Sequence, residues 1–219
     1  MTIAVNIVYL HGLNSSPQSV KARALGDAIG AFPDLKRPRY FVPQLAHRPE
    51  AAMREVRAWI EAHDPTSIAL VGSSLGGFYA THLAERYRVR AVLINPAVRP
   101  YENLVTYLGR QRNLYTGEKY ELTPEHFAEL QAQRSTRSCG PIAIFFLSKQ
   151  ATRSSTGAKR WRFTEARGSP CMVAAITRSA ISGNRFRRYC SLRCAAFELF
   201  SLITKRVCAR VERGFDGLY

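Results

Sequence analysis

The chain has 219 residues, 46% of them hydrophobic, enough for one large domain or two small ones with a sizeable core. Its net charge of +16 taken alone points to nucleic acid or an anionic surface. It has no cationic start followed by an apolar stretch and no apolar run of membrane-span length. Secreted and membrane classes are therefore set aside, and a cytoplasmic protein with no membrane partner is expected.

The charge is unevenly spread. Residues 1–134 hold 16 Lys and Arg against 12 Asp and Glu, whereas residues 135–219 hold 16 against 4. All five histidines (His11, His47, His63, His82, His126) precede the divide, and all five cysteines (Cys139, Cys171, Cys190, Cys194, Cys208) follow it. Two segments of one domain should not differ so much. A separate basic domain is one explanation and a change of reading frame is another.

In chain order, Ile3 to Leu10 is rich in Ile and Val and reads as a buried first strand. The loop His11-Gly12-Leu13-Asn14-Ser15-Ser16-Pro17 follows. A glycine here lets the backbone turn a main-chain N–H toward a developing negative charge, as part of an oxyanion hole; a plain strand-ending loop is the alternative. His11 is read as structural, because it precedes the candidate nucleophile. Ser19 to Ala31 is helical, with Val20, Ala24, Leu25 and Ile29 on one face. Tyr40 to Val42 is a short strand ended by Pro43. Pro49 opens a helix whose Met53, Val56, Trp59 and Ile60 form a core stripe, and Asp64-Pro65 breaks it.

Ile68 to Val71 is the next buried strand, and Gly72-Ser73-Ser74-Leu75-Gly76 fits G-x-S-x-G, the nucleophile elbow between a strand and a helix. The turn is so tight that the positions two before and two after the serine, Gly72 and Gly76, must lack bulk. Only Ser74 satisfies that spacing, because Ser73 would need glycine where Val71 and Leu75 stand. A glycine-rich turn without chemistry is the plain alternative. A helix runs from Leu75 to about Arg86, with His82 read as structural, and Ala91 to Ile94 is a further strand. The loop Asn95 to Pro100 falls at its carboxyl end, where open α/β sheets bind ligands. Tyr101 to Tyr120, aromatic and polar without clear periodicity, suits a lid; Tyr101, Tyr107 and Tyr115 either line an acyl pocket or simply pack. Thr123 and Pro124 start another helix, on which His126 reads as a surface residue. Cys190-Ser191-Leu192-Arg193-Cys194 is C-x-x-x-C without a second pair or a nearby histidine, so no metal site is expected.

Three stretches together resemble the small YqiA-type bacterial esterases of the α/β-hydrolase superfamily: Tyr9 to Pro17, Val71 to Thr81, and Asn95-Pro96-Ala97-Val98-Arg99-Pro100. Tyr107-Leu108-Gly109 and Tyr115-Thr116-Gly117 are similar to that family as well. The resemblance covers roughly residues 5 to 134. It implies a serine esterase acting on short acyl esters, a small-molecule substrate and no cofactor. Ser74 matches the nucleophile. The Leu75 N–H and one from the Gly12-Leu13 turn match the oxyanion hole.

Beyond Arg134 the pattern departs. The family next shows a strand, then G-D-E-V-L-D with the triad acid, and later G-G-[DN]-H with the base. Neither occurs here, and no histidine follows His126. Back-translation recovers both motifs out of frame. Codons for Gln150 to Gly157, read two bases later, can give Gly-Asp-Glu-Val-Leu-Asp-Trp. Codons for Met172 to Ser182 at the same offset can give Gly-Gly-Gly-Asp-His-Ala-Leu-Ser-Asp-Phe. A frameshift near Gln133 or Arg134 is therefore expected, with the lost acid across Ala151-Thr152 and the lost base across Ile176-Thr177.

The expected fold is α/β and α/β-hydrolase-like: a mostly parallel sheet with helices on both faces. Residues 1–134 form the core, and 135–219 are its basic, out-of-frame remainder, incomplete or disordered apart from a strand over Ile142 to Leu147. The expected function is a serine carboxylic-ester hydrolase, impaired here because the triad Asp and His are missing. The alternative is a hydrolase-like domain with a basic nucleic-acid-binding tail, Trp161, Phe186 and Tyr189 serving as stacking groups. In the first reading the tail makes only non-specific contact with nucleic acid.

Overall fold

Apolar strands alternating with amphipathic helices bury most surface when the strands lie parallel and the helices cover the sheet. The computed structural model, which describes residues 5–34, 37–134, 144–150, 160–164, 167–168 and 171–175, has this architecture. In chain order come β1 (Asn6–Leu10), α1 (Val20–Gly30), β2 (Arg39–Phe41), α2 (Pro49–Glu61), β3 (Ile68–Ser73), α3 (Leu75–Tyr87), β4 (Arg90–Ile94) and α4 (Pro100–Asn103). The hairpin strands β5 (Gly109–Arg112) and β6 (Lys119–Leu122) follow, then α5 (Pro124–Ala132), β7 (Ile144–Gln150), β8 (Arg160–Thr164), β9 (Arg167–Gly168) and β10 (Cys171–Ala175).

The main sheet runs β2-β1-β3-β4-β7-β10-β9. The neighbours from β2 to β10 are all parallel, while β8 and β9 pair antiparallel with β7 and β10. The registers align the carboxyl ends of β3 and β4, where Ser73 pairs with Ile94; Ile94 in turn pairs with Leu147, and β7 runs on past it to Gln150. Ala175, the last residue of β10, pairs with Phe146, one place before Leu147. The sheet thus continues beyond Arg134, and β7 answers to the apolar run Ile142 to Leu147. Residues 176–219, and with them the stretches carrying Cys190, Cys194, Phe186 and Tyr189, lie outside the described residues.

Side chains alternate across a strand, so β1 serves both faces. Val8 and Leu10 enter a buried cluster with Ala52, Met53, Val56 and Ile60 of α2 and Phe78, Ala80, Leu83 and Ala84 of α3. Ile7 and Tyr9, equally buried, point the other way, and the Tyr9 hydroxyl meets Ser19 at the start of α1. Ser19 caps that helix by accepting from the Ala22 N–H at 3.4 Å. The buried stripe of α1 is Ala22, Leu25, Ala28 and Ile29, so the expected face is rotated and Val20 is exposed. Packing decides this, because the Tyr40 hydroxyl holds the Ala22 carbonyl at 2.8 Å and sets the helix's rotation.

One segment gains definition and one further expectation needs correction. The Tyr101 to Tyr120 segment contains a two-stranded hairpin. Its strands bury little, which removes the period-2 signal that would announce it. His126 is buried, at 2% exposure, because its ring closes the capping box of α5 against Thr123.

Candidate active site

Ser74 is the residue between β3 and α3, with φ 53° and ψ −119°. That conformation costs a non-glycine residue on the order of 1–3 kcal/mol, so its surroundings must over-determine it. They do: the Ser74 N–H donates to the Ile94 carbonyl at 3.1 Å, and the Ser74 carbonyl accepts from Gly77 at 2.9 Å and Ala97 at 3.0 Å. Ser74 is exposed, whereas residues 67–73 and 75–80 are all buried. The flanking glycines allow this. A Cβ on Gly72 would sit 2.3 Å from the Gly76 carbonyl oxygen, and one on Gly76 would sit 2.0 Å from that of Leu10. α3 therefore crosses β1 and β3 at backbone contact and leaves the serine at its tip.

The Gly12 loop completes the corner. A Cβ built on Gly12 lies 3.2 Å from Ser74 Cβ and 3.7 Å from Oγ, so the loop touches the serine. Leu75 is the first residue of α3, and its N–H has no acceptor within the helix. Ser74, Gly12, Leu13 and Leu75, with Gly72 and Gly76 beneath, are thus brought to one place.

His11 shapes the loop from behind. It is buried, its Nε2 accepts from the Leu45 N–H at 3.1 Å, and its Nδ1 donates to the Gly12 carbonyl at 3.0 Å. Burial pushes its pKa below the usual histidine value. With both ring nitrogens engaged it is a neutral strut. His82, half-buried on α3, is also held below its usual pKa, chiefly by burial, and meets the Gln133 backbone. Among the described residues, no histidine or carboxylate hydrogen-bonds Ser74 Oγ.

A narrow cleft opens beside the corner, bounded by Gly12, Leu13, Leu75, His47, Glu118 and Tyr120 among others. The hairpin roofs it. Asn14, at φ 54°, accepts from the Tyr120 hydroxyl at 2.7 Å, donates to Gln111 at 3.0 Å, and offers its carbonyl to the Leu114 N–H at 3.2 Å. Asn113 donates to the Ser15 carbonyl at 2.9 Å. Burial, and secondarily Glu118, pushes the Tyr120 phenol up to about 12, so it remains a donor near neutrality. Of the three candidate tyrosines, Tyr101 lines a second cleft with Phe78 and His82, while Tyr107 and Tyr115 are about half exposed. Sequence reasoning gave no role to Asn14, Asn113, Tyr120 or His47. Asparagine's tolerance of positive φ was the one signal available for Asn14. Among the described residues no cluster of metal-ligating side chains occurs and no helix is long and apolar enough to cross a membrane.

The profile of an uncharacterised protein family, UPF0227, matches residues 6–153. The chain belongs to this family. The match passes Arg134 and takes in β7, further than the motifs read from the sequence. A UPF0227 protein of Shewanella sediminis is 28% identical over 105 residues, 48% of this chain and 58% of that one. The YcfP protein of Escherichia coli is 26% identical over 98 residues, 45% and 54% of the two chains. The UPF0227 chain thus spans little more than half the length of these relatives. Among solved structures, an inferred hydrolase of Agrobacterium vitis S4 superposes with a TM-score of 0.50 at 20% identity, over 64% of this chain and 67% of that one. At that identity the likeness speaks for fold, and the fold is the α/β-hydrolase-like one read from the sequence.

Proposed function

We propose that this UPF0227 chain carries the scaffold of a YqiA-type serine carboxylic-ester hydrolase acting on short acyl esters through an acyl-enzyme. The observation that carries the reading is Ser74, exposed at a strained strand–helix turn with the Gly12 loop against it. Ser74 Oγ attacks the ester carbonyl. The Leu75 N–H and one from the Gly12-Leu13 turn hold the oxyanion, the alcohol leaves, and water releases the acid. The reading invokes no cofactor or metal.

Among the described residues, no histidine or carboxylate hydrogen-bonds Ser74 Oγ as this chemistry needs. No histidine follows His126, and His11 has no free nitrogen. The sheet supports where they belonged. In a parallel α/β sheet, functional residues follow the carboxyl ends of strands. Ala151-Thr152 directly follows β7, and Ile176-Thr177 directly follows β10. These are the positions at which back-translation recovers the acid and the base. We therefore read residues 135–219 as the remainder of the same domain with the frame lost between Arg134 and Gln150. The family match through residue 153 leaves room for an in-frame start of β7.

The test compares the chain with a frame-restored version. Restoration should raise hydrolysis of a short p-nitrophenyl ester by about 10⁴-fold or more, the scale of repairing a triad. Ser74→Ala should abolish it and Ser73→Ala should not. A serine-directed fluorophosphonate should label Ser74. A folded, restored protein that neither hydrolyses esters nor takes the label would overturn the esterase reading; full activity in the unrestored chain would overturn the frame change.

A further inference from the structure

The cleft beside Ser74 contains an imidazole whose hydrogen-bonding state is set from outside the cleft. His126 Nδ1 accepts from the Thr123 N–H at 3.1 Å, so it carries no proton. Neutral His126 must then bear its hydrogen on Nε2, which lies 3.2 Å from His47 Nδ1. That hydrogen is donated to His47 Nδ1, which leaves the His47 hydrogen on Nε2, the ring atom turned away from His126. The chain Thr123–His126–His47 thus fixes both tautomers by elimination. Tyr120 holds the His47 ring by stacking, with centroids 4.5 Å apart and planes 15° from parallel.

Most other polar side chains around the cleft are spent. Asn14 accepts from the Tyr120 hydroxyl and donates to Gln111, while Asn113 donates to the Ser15 carbonyl and accepts from the Tyr115 and Thr116 N–H groups. His47 and the exposed Glu118 carboxylate also border the cleft, which reaches Leu13 and Leu75, as do the hydroxyl-bearing Ser15 and Tyr79. A hydroxyl group answers either, accepting from the imidazole or donating to the carboxylate. A bare alkyl chain answers neither and leaves both desolvated.

We infer that His47 is a specificity-determining residue whose Nε2–H binds a hydroxyl on the acyl or alcohol part of the ester, so that the site takes hydroxylated short esters. This deepens the esterase reading and rests on it for the word ester. The binding itself can be tested without turnover. Full-length Ser74→Ala protein labelled with ¹⁵N-histidine is titrated with two matched pairs, 2-hydroxyethyl acetate against propyl acetate, and methyl 3-hydroxypropanoate against methyl butanoate. The long-range ¹H–¹⁵N spectrum should show His47 protonated at Nε2 and His126 at Nε2. The hydroxylated member of at least one pair should move His47 Nε2 and bind about fivefold tighter, the worth of one net hydrogen bond. The pair that responds identifies the acyl or the alcohol side. His47→Phe, which keeps a ring over Tyr120, should erase the preference, and His47→Gln, which keeps a donor, should restore part of it. His47 protonated at Nδ1, equal binding within both pairs, or a preference surviving His47→Phe would overturn the inference. Fluorophosphonate labelling of the frame-restored protein separates the two failures. A hydroxyl preference without labelling leaves the site and removes the esterase, and labelling without the preference does the reverse.

Discussion

At the residue scale, the corner around Ser74 works because two glycines let three backbones meet. The sequence spacing shows that Gly72 and Gly76 must be small, but not that the atom opposing Gly76 is the carbonyl of Leu10, on a strand more than sixty residues away. Gly76→Ala should therefore cost about 3 kcal/mol or more, the upper end for overpacking, because the opposing atoms are main chain and cannot rotate away. Gly30 supplies the contrast. It ends α1, and a Cβ there meets nothing within 4 Å, so Gly30→Ala should change stability by no more than about 1 kcal/mol, in the favourable direction. Urea midpoints of the two variants measure both effects. Comparable losses would mean that close backbone approach is not what these positions require.

At the element scale, the hairpin buries Leu122 at its end and is held over the Gly12 loop by polar side chains. Its Leu114 is 82% exposed and Tyr115 47% exposed, while the buried contacts are those of Asn14, Asn113 and Tyr120. Tyr120→Phe should keep the ring on His47 yet lose the bond to Asn14, costing about 1 kcal/mol. Amide exchange across Gly109–Leu122 should accelerate with little change in β1 or β3. Uniform acceleration through the sheet would show that the hairpin is part of the global folding unit. α2 shows a similar economy. Its N-cap Arg48 makes no side-chain cap, and Glu129 of α5 instead accepts from the Glu50 N–H at 3.0 Å and pairs with Arg48. Elements with a local signature were legible: Pro49 at the start of α2, Thr123 before α5, the apolar runs of β1, β3 and β4. Elements fixed from elsewhere were not. Nothing adjacent to Lys119–Leu122 announces a strand, because its partner and its anchor at Asn14 are both remote.

At the scale of the molecule, the sequence discloses that the strands are parallel and that Ser74 stands at a carboxyl end. The strand order, and with it the common edge of β3, β4, β7 and β10, comes only from packing. Three histidines built into this architecture make its stability depend on pH. His11, His82 and His126 are all held below the usual histidine pKa, in each case first by burial. Each therefore takes up its proton at a lower pH in the fold than in the unfolded chain, which does so at about 6.5. In that window the unfolded state binds more protons, so stability must rise with pH. It is complete above pH 6.5 and falls as the pH drops toward the folded-state values. Glu85 acts in the opposite sense, since burial raises its carboxyl pKa, so the histidine contribution is isolated by a variant and not by the raw curve. His126→Gln suits this purpose. Glutamine at the third helical position also closes a capping box with Thr123, so α5 should persist while one titrating group disappears. Thermal midpoints between pH 8 and pH 5 should decline for both proteins, and less steeply for the variant. Parallel slopes would mean that His126 titrates alike in the folded and the unfolded chain and adds nothing to the pH dependence of stability.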